Sequence, residues 1–144
     1  MDPVKRYKTD AITTQQRGKL IVMLYEGAIR FLNIAKEKLQ EGDYALKGVY
    51  IGKAQDIVAE LNNSLNVEAA PDIGNDLRAL YNFMYGHLNE ANIERSVQKI
   101  EDCINILAEL REAWEQVASS PEASTADDAG AVPPTPLAAG GYQA

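Results

Sequence analysis

The stretch from Leu20 to Leu39, LIVMLYEGAIRFLNIAKEKL, limits what this chain can fold into more than any other. Apolar side chains at Leu20, Leu24, Ala28, Phe31, Ala35 and Leu39 return every three to four residues, which is the period of an α-helix. Ile21, Val22, Met23, Tyr25, Ile29 and Ile34 add apolar surface on its other sides. Such a helix is apolar over more than the arc one partner helix would cover. Either it is the central helix of a bundle, or one of its faces is kept for something outside the chain.

The flanking segments supply the partners. Residues 1–13 lack periodicity, with Val4, Tyr7, Ala11 and Ile12 as their apolar anchors, and read as an N-terminal arm. The first helix is predicted to start within Thr13 to Arg17, with Thr13 or Thr14 as N-cap, and to end near Gln40 because Gly42 suits a left-handed cap. Asp43 then caps a second helix over 44–66, and so short a link forces an antiparallel hairpin. In that helix Leu46, Tyr50, Ala54, Ile57, Leu61 and Leu65 form a stripe, while Gly48 and Gly52 suggest a close backbone approach. Pro71 marks the entry to a third helix over 72–90, carrying Ile73, Leu77, Leu80, Met84, Leu88 and Ala91. Asn92 is the expected N-cap of the fourth, with Ile93, Val97, Ile100, Ile104, Leu107 and Trp114 as its stripe. No run alternates apolar and polar residues with strand-type turns. The expected fold is therefore all-α, an antiparallel four-helix bundle over 14–117. Residues 118–144, rich in Ala, Ser, Pro and Gly, read as a disordered tail.

Charge and cysteine content exclude several functions. The net charge is −7, and the largest basic cluster, Lys5, Arg6 and Lys8, is too small to neutralise a nucleic-acid backbone. A single cysteine, Cys103, allows neither an internal disulfide nor a cysteine-based zinc site and fits a reducing compartment. No signal-type segment and no apolar run long enough to span a bilayer is present, so a cytoplasmic location without membrane insertion is expected.

Chemistry finds few candidates. A di-metal carboxylate site in a bundle needs a Glu-x-x-His pair on each of two helices, and the one histidine, His87, follows Met84 at that spacing. No metal and no cofactor are expected. His87 alone keeps open a histidine phosphotransfer module, although Glu90 one turn on would repel a phosphoryl group. Cys103, beside Ile104 and Leu107, reads as a small core residue. What remains is apolar surface outside the main stripes: Ile21, Tyr25, Ile29, Ile51, Val58, Tyr81, Phe83 and Tyr85. A wide core stripe and a groove for an amphipathic segment use the same residue types.

Four segments in order, LYEGAIRFLNIA, IGKAQDIVAELNNSL, LRALYNFMYGHLNEAN and LAELREAWEQ, resemble the flagellin-specific export chaperones, the FliS family, over about residues 4–117. The resemblance implies a helical bundle without enzymatic activity that holds the unfolded C-terminal segment of flagellin. It also implies delivery of that client to the cytosolic domain of the flagellar export gate, with a weak homodimer as the client-free alternative. It places the client groove at Ala54, Ile57, Leu61, Leu65, Tyr81 and Met84, with Glu60 and Asn62 at its polar margin. Val4 and Tyr7 take the role of gate contact or groove cover. The chain departs from the family pattern at Gln16-Arg17, Ala70-Pro71 and Gly86-His87, where Ser-Pro, a glycine pair and a basic pair are usual.

Overall fold

Helix α1 spans Pro3–Glu41, α2 Tyr44–Asn63, α3 Pro71–Glu94 and α4 Val97–Ala118 in the computed structural model of this chain. The structure describes the backbone of residues 3–118 and the side chains of residues 18–117. Helix α1 packs against α2 and α4, α3 also packs against α2 and α4, and α1 and α3 lie across the diagonal. The result is the expected antiparallel four-helix bundle, and no strand occurs among the described residues.

The turns explain the topology. Gly42 has φ +83°, and the bonds Gly42 N–H to Leu39 O (3.1 Å) and Asp43 N–H to Lys38 O (2.8 Å) close α1 with a left-handed cap. The Asp43 carboxylate then accepts from Leu46 N–H at 3.1 Å and opens α2, as its place in the sequence suggests. Pro71 stands at the first position of α3. The last junction differs from expectation. Helix α3 runs on through Asn92 to Glu94, Arg95 takes the left-handed conformation at φ 54°, and Ser96 caps α4 by accepting from Lys99 N–H at 3.1 Å. Two interactions hold that boundary: Arg95 stacks on the Tyr44 ring 3.7 Å away, and the Asn92 side chain accepts from Lys47. With Asn92 inside α3, Ile93 falls on the outer face and is 82% exposed instead of joining the core.

The start of α1 is a second correction. The segment 1–13 was expected to be an arm without periodicity, yet α-helix runs from Pro3 without a break. Proline at the first helical position costs no hydrogen bond, and nothing from Val4 to Arg17 interrupts a helix. The tail expected over 118–144 lies outside the described residues beyond Ala118, which closes α4.

Each helix buries a stripe rotated slightly from the one expected. Helix α1 contributes Ile21, Tyr25, Ala28, Leu32, Ala35 and Leu39, and Leu20 turns outward. Helix α2 buries Ile51, Ala54, Val58 and Leu61; α3 buries Leu77, Tyr81, Met84, Leu88 and Ala91; α4 buries Ile100, Cys103, Leu107, Leu110, Trp114 and Val117. Most of the apolar excess noted in the sequence, Ile21, Tyr25, Ile51, Val58 and Tyr81, is therefore core. At the centre the Tyr25 and Tyr81 hydroxyls share a 2.5 Å hydrogen bond across the diagonal. Burial, and then the Tyr81 hydroxyl, push the Tyr25 pKa well above its ordinary value, so Tyr25 stays neutral. The buried Trp114 N–H has no acceptor in hydrogen-bonding geometry, although its dipole lies close enough to pull the Tyr25 pKa slightly back down.

Two glycines carry opposite meanings. A Cβ on Gly74 would meet the Val67 Cα at 2.9 Å, so the link between α2 and α3 can cross the first turn of α3 only over a glycine. Gly52 has nothing within 4 Å of the place of its Cβ, so the close approach expected there does not occur. Gly52→Ala should accordingly raise stability by about 0.5–1 kcal/mol through helix propensity alone. Gly74→Ala should lower it, and urea unfolding midpoints of the two variants would therefore move in opposite directions. The buried hydroxyl pair gives a second test. Removing one partner costs the other a buried hydrogen bond, so Tyr25→Phe should cost about 1–2 kcal/mol. The double variant with Tyr81→Phe should cost less than the two single losses together, which a double-mutant cycle in denaturant would read directly.

Candidate functional site

The three seams around α2 and α3 differ in chemistry, and that difference decides where a partner could lie. Between α2 and α3 the contacts are polar. Asn62 Nδ2 donates to Asn82 Oδ1 at 2.9 Å, Gln55 Nε2 to Asn89 Oδ1 at 2.8 Å and to Tyr85 O at 3.1 Å. Lys47, with its stem buried, donates to Asn92 Oδ1 at 2.5 Å and to Asn92 O at 2.9 Å, and burial together with Arg95 lowers its pKa. These bonds fix the register of α3 on α2 but present little apolar surface.

Between α3 and α4 the contacts are ionic. His87 Nε2 lies 2.9 Å from Asp102 Oδ2 and its Nδ1 3.8 Å from Glu90 Oε2, while its ring stacks on Phe83 at 4.8 Å. Only 14% of the His87 side chain is exposed, and both ring nitrogens face carboxylates. A phosphoryl group there would add two negative charges beside two carboxylates, the arrangement least able to hold it. Lys99 bridges Glu90 at 2.8 Å and Glu94 at 3.0 Å. Cys103 is buried, and burial pushes its thiol up to about 12, which keeps it from acting as a thiolate nucleophile. No group of three side chains suited to hold a metal ion occurs among the described residues.

The seam between α1 and α2 is apolar and faces outward. Leu20, Met23, Leu24, Gly27, Phe31 and Ile34 follow one another at helical spacing on α1; Leu46, Tyr50 and Ile57 do so on α2. The helices meet closely at Gly27, where a Cβ would stand 3.3 Å from Ile57 Cδ1, and at Phe31, whose ring centroid is 6.0 Å from that of Tyr50. Leu20 at 53%, Met23 at 63% and Leu46 at 39% exposure leave apolar surface uncovered along this seam. A globular monomer has no structural need for such a continuous outward stripe.

The eight residues expected to line a groove do not come together on one surface. Ala54, Leu61, Leu65, Tyr81 and Met84 are all buried in the core. Ile57 is half-buried on the α1/α2 seam with Glu60 exposed beside it, while Asn62 turns to α3. The side chains of Val4 and Tyr7 lie outside the described residues, on the first turns of α1. Sequence reasoning missed Leu20, Met23, Phe31 and Leu46 as surface residues. Their spacing was visible, but the groove was placed on α2 and α3, since a rotation of one residue along a helix leaves a three-to-four pattern nearly unchanged.

The α3/α4 contact yields a pH prediction. The Gln98 amide, donating at 2.8 Å, and then His87 hold the Asp102 carboxyl below the usual carboxylate range. A carboxyl lowered by folding stabilises the native state above its unfolded pKa, about 3.9, and that contribution is lost as pH falls through the lower folded value. Asp102 is more than a third exposed, so solvent screening keeps the effect small. Asp102→Asn should be slightly less stable than the parent at pH 7, and the gap should close below about pH 4 when thermal midpoints are followed against pH.

Comparison with known proteins agrees with this architecture. The family model described as "Flagellar protein FliS" matches residues 1–121. The flagellar secretion chaperone FliS of Vibrio cholerae is 36% identical over 118 residues, covering 79% of this chain and 87% of that protein. The protein of the same name from Bacillus subtilis is 31% identical over 121 residues, covering 83% and 88%, and that of Salmonella typhimurium 35% over 115, covering 79% and 84%. The family match runs through all four helices, and with relatives at 31–36% identity over most of their length the chain belongs to the FliS family of flagellar secretion chaperones.

Proposed function

We propose that this protein binds the C-terminal segment of flagellin, keeps it from polymerising, and carries it to the cytosolic domain of the flagellar export gate. Relatives bearing the name flagellar secretion chaperone support the role in general terms. The observation that carries the reading for this chain is the outward apolar seam of α1 and α2, with Leu20, Met23 and Leu46 exposed around Ile57. An amphipathic client segment laid along it would bury its own apolar face. That face is the one that would otherwise drive assembly. A client ordered only on the chaperone also gives up part of the contact energy to lost chain entropy, which keeps release within reach.

Of the eight groove residues expected from the sequence, the proposal keeps Ile57 as a direct contact and Glu60 at its margin. Ala54, Leu61, Leu65, Tyr81 and Met84 act by holding the two helices in place, and Asn62 by tying α2 to α3. Val4 and Tyr7, at the start of α1, are assigned to the export gate. The action is binding without catalysis, in the cytoplasm. Among the described residues no helix is long and apolar enough to cross a membrane.

Calorimetric titration with flagellin, intact and lacking its C-terminal segment, tests the reading. Binding should be equimolar, show a negative heat-capacity change from apolar burial, and vanish with the truncation. Ile57→Asp and Met23→Asp should each weaken it by at least tenfold, about 1.4 kcal/mol, while leaving the helical circular dichroism intact. Tyr7→Ala should leave the titration unchanged and lower flagellin secretion. Equal affinity for intact and truncated flagellin would overturn the assignment of the client segment.

A further inference from the structure

Midway along the α1/α2 seam two cations rest on one aromatic ring. Arg30 Cζ lies 5.4 Å and Lys53 Nζ 5.7 Å from the centroid of Phe31. Both side chains are exposed, and neither forms an ion pair among the described residues. Glu26 stands one turn before Arg30 and Asp56 one turn after Lys53, yet the cations lie on the ring instead of on these carboxylates. The seam thus offers an apolar track, Met23 to Leu46, with paired positive charges at its middle.

Residues 119–144 have the complementary character. They carry Glu122, Asp127 and Asp128 with no Lys or Arg, and Leu137 and Tyr142 are their largest apolar side chains. Their point of departure is also suitable. The Lys36–Glu101 contact at 3.7 Å sets the register of α4 on α1 and puts Ala118 level with about residue 19 of α1. From there Arg30 is about 16 Å along the bundle axis, and α1 itself is about 8–10 Å across to its neighbours. Nine residues from Ala118 to Asp127 span at most about 30 Å when extended, enough to bring Asp127 and Asp128 to Arg30 and Lys53. Leu137 then has chain to spare to reach Leu46 and Ile34 further along the seam.

We infer that residues 119–144 of this chain fold back over the α1/α2 seam, with Asp127 and Asp128 on Arg30 and Lys53 and Leu137 on the apolar track beyond. Each contact is weak in itself: an exposed ion pair contributes less than about 1 kcal/mol. Tethering raises the effective concentration to the millimolar range, so weak contacts suffice and remain easily displaced. The inference concerns this chain alone and does not depend on the identity of any client.

A spin label on the full chain tests it. Cys103 is buried with its thiol held protonated, so a label attached through Ala129→Cys goes to that position alone. Methyl resonances of Ile34 and Leu46 should lose most of their intensity to paramagnetic broadening, while Ile73, in the first turn of α3 and about 20 Å further along the bundle, should keep its own. Arg30→Glu with Lys53→Glu should restore the lost intensity. So should Asp127→Asn with Asp128→Asn, which leaves the bundle untouched. Broadening that is absent, that is equal at Ile73, or that persists in both double variants would overturn the inference. Mixing spin-labelled protein with unlabelled, isotope-enriched protein identifies the occupant. Broadening transferred to the enriched copy would mean a second molecule covers the seam, which also overturns it.

Discussion

The hydroxyl pair of Tyr25 and Tyr81 sits where the two helices that are not neighbours come nearest, at the centre of the bundle. Two buried phenols bond to one another there. A shorter side chain at either place would leave a cavity, and an unpaired hydroxyl would carry its full desolvation cost. The pair also fixes the height of α3 relative to α1, to which no chain turn connects it directly. Every seam described above inherits its register from that central contact together with the capped turns at Gly42-Asp43 and Arg95-Ser96.

Around that centre the seams divide the work. The α2/α3 seam is a ladder of amide and ammonium hydrogen bonds, and the α3/α4 seam a set of ion pairs around His87 and Lys99. Directional contacts of this kind specify one alignment and expose little apolar area. The α1/α2 seam is the reverse, with shape and apolar surface and only the cations over Phe31 as polar features. An unstructured client can adapt its backbone to such a surface, because the surface demands apolar side chains at helical spacing and few fixed hydrogen-bond partners.

Helix number and order, and the caps at Gly42-Asp43 and Pro71, were legible from local chemistry. Asp43, Gly42 and Pro71 each act within a turn of their own position, so their roles do not depend on the rest of the fold. Asn92 misled because capping is a competition. Asn92 has the side chain for it, but Ser96 won once Arg95 could adopt a left-handed turn stacked on Tyr44, a residue about fifty positions away. The start of α1 was misjudged for a related reason: apolar periodicity signals burial, and the backbone can form a helix without that signal. Assignment of groove and core failed most instructively. Leu61, Tyr81 and Met84 have the residue types of a groove and are buried completely, whereas Leu20 and Met23 have the residue types of a core and face outward.

The sequence by itself determined that this chain makes four antiparallel helices with an apolar excess, and its four ordered segments pointed to the family. Those properties follow from period, capping and composition, all of which are local along the chain. Only the tertiary structure decided which side of each helix is inside. Rotating a helix by one residue, about 100°, exchanges Leu20 for Ile21 and Tyr50 for Ile51 without altering the pattern either belongs to. The choice between them rests on the contacts of all four helices at once: on Tyr25 meeting Tyr81, on Gly27 admitting Ile57, and on Gly74 passing beneath Val67.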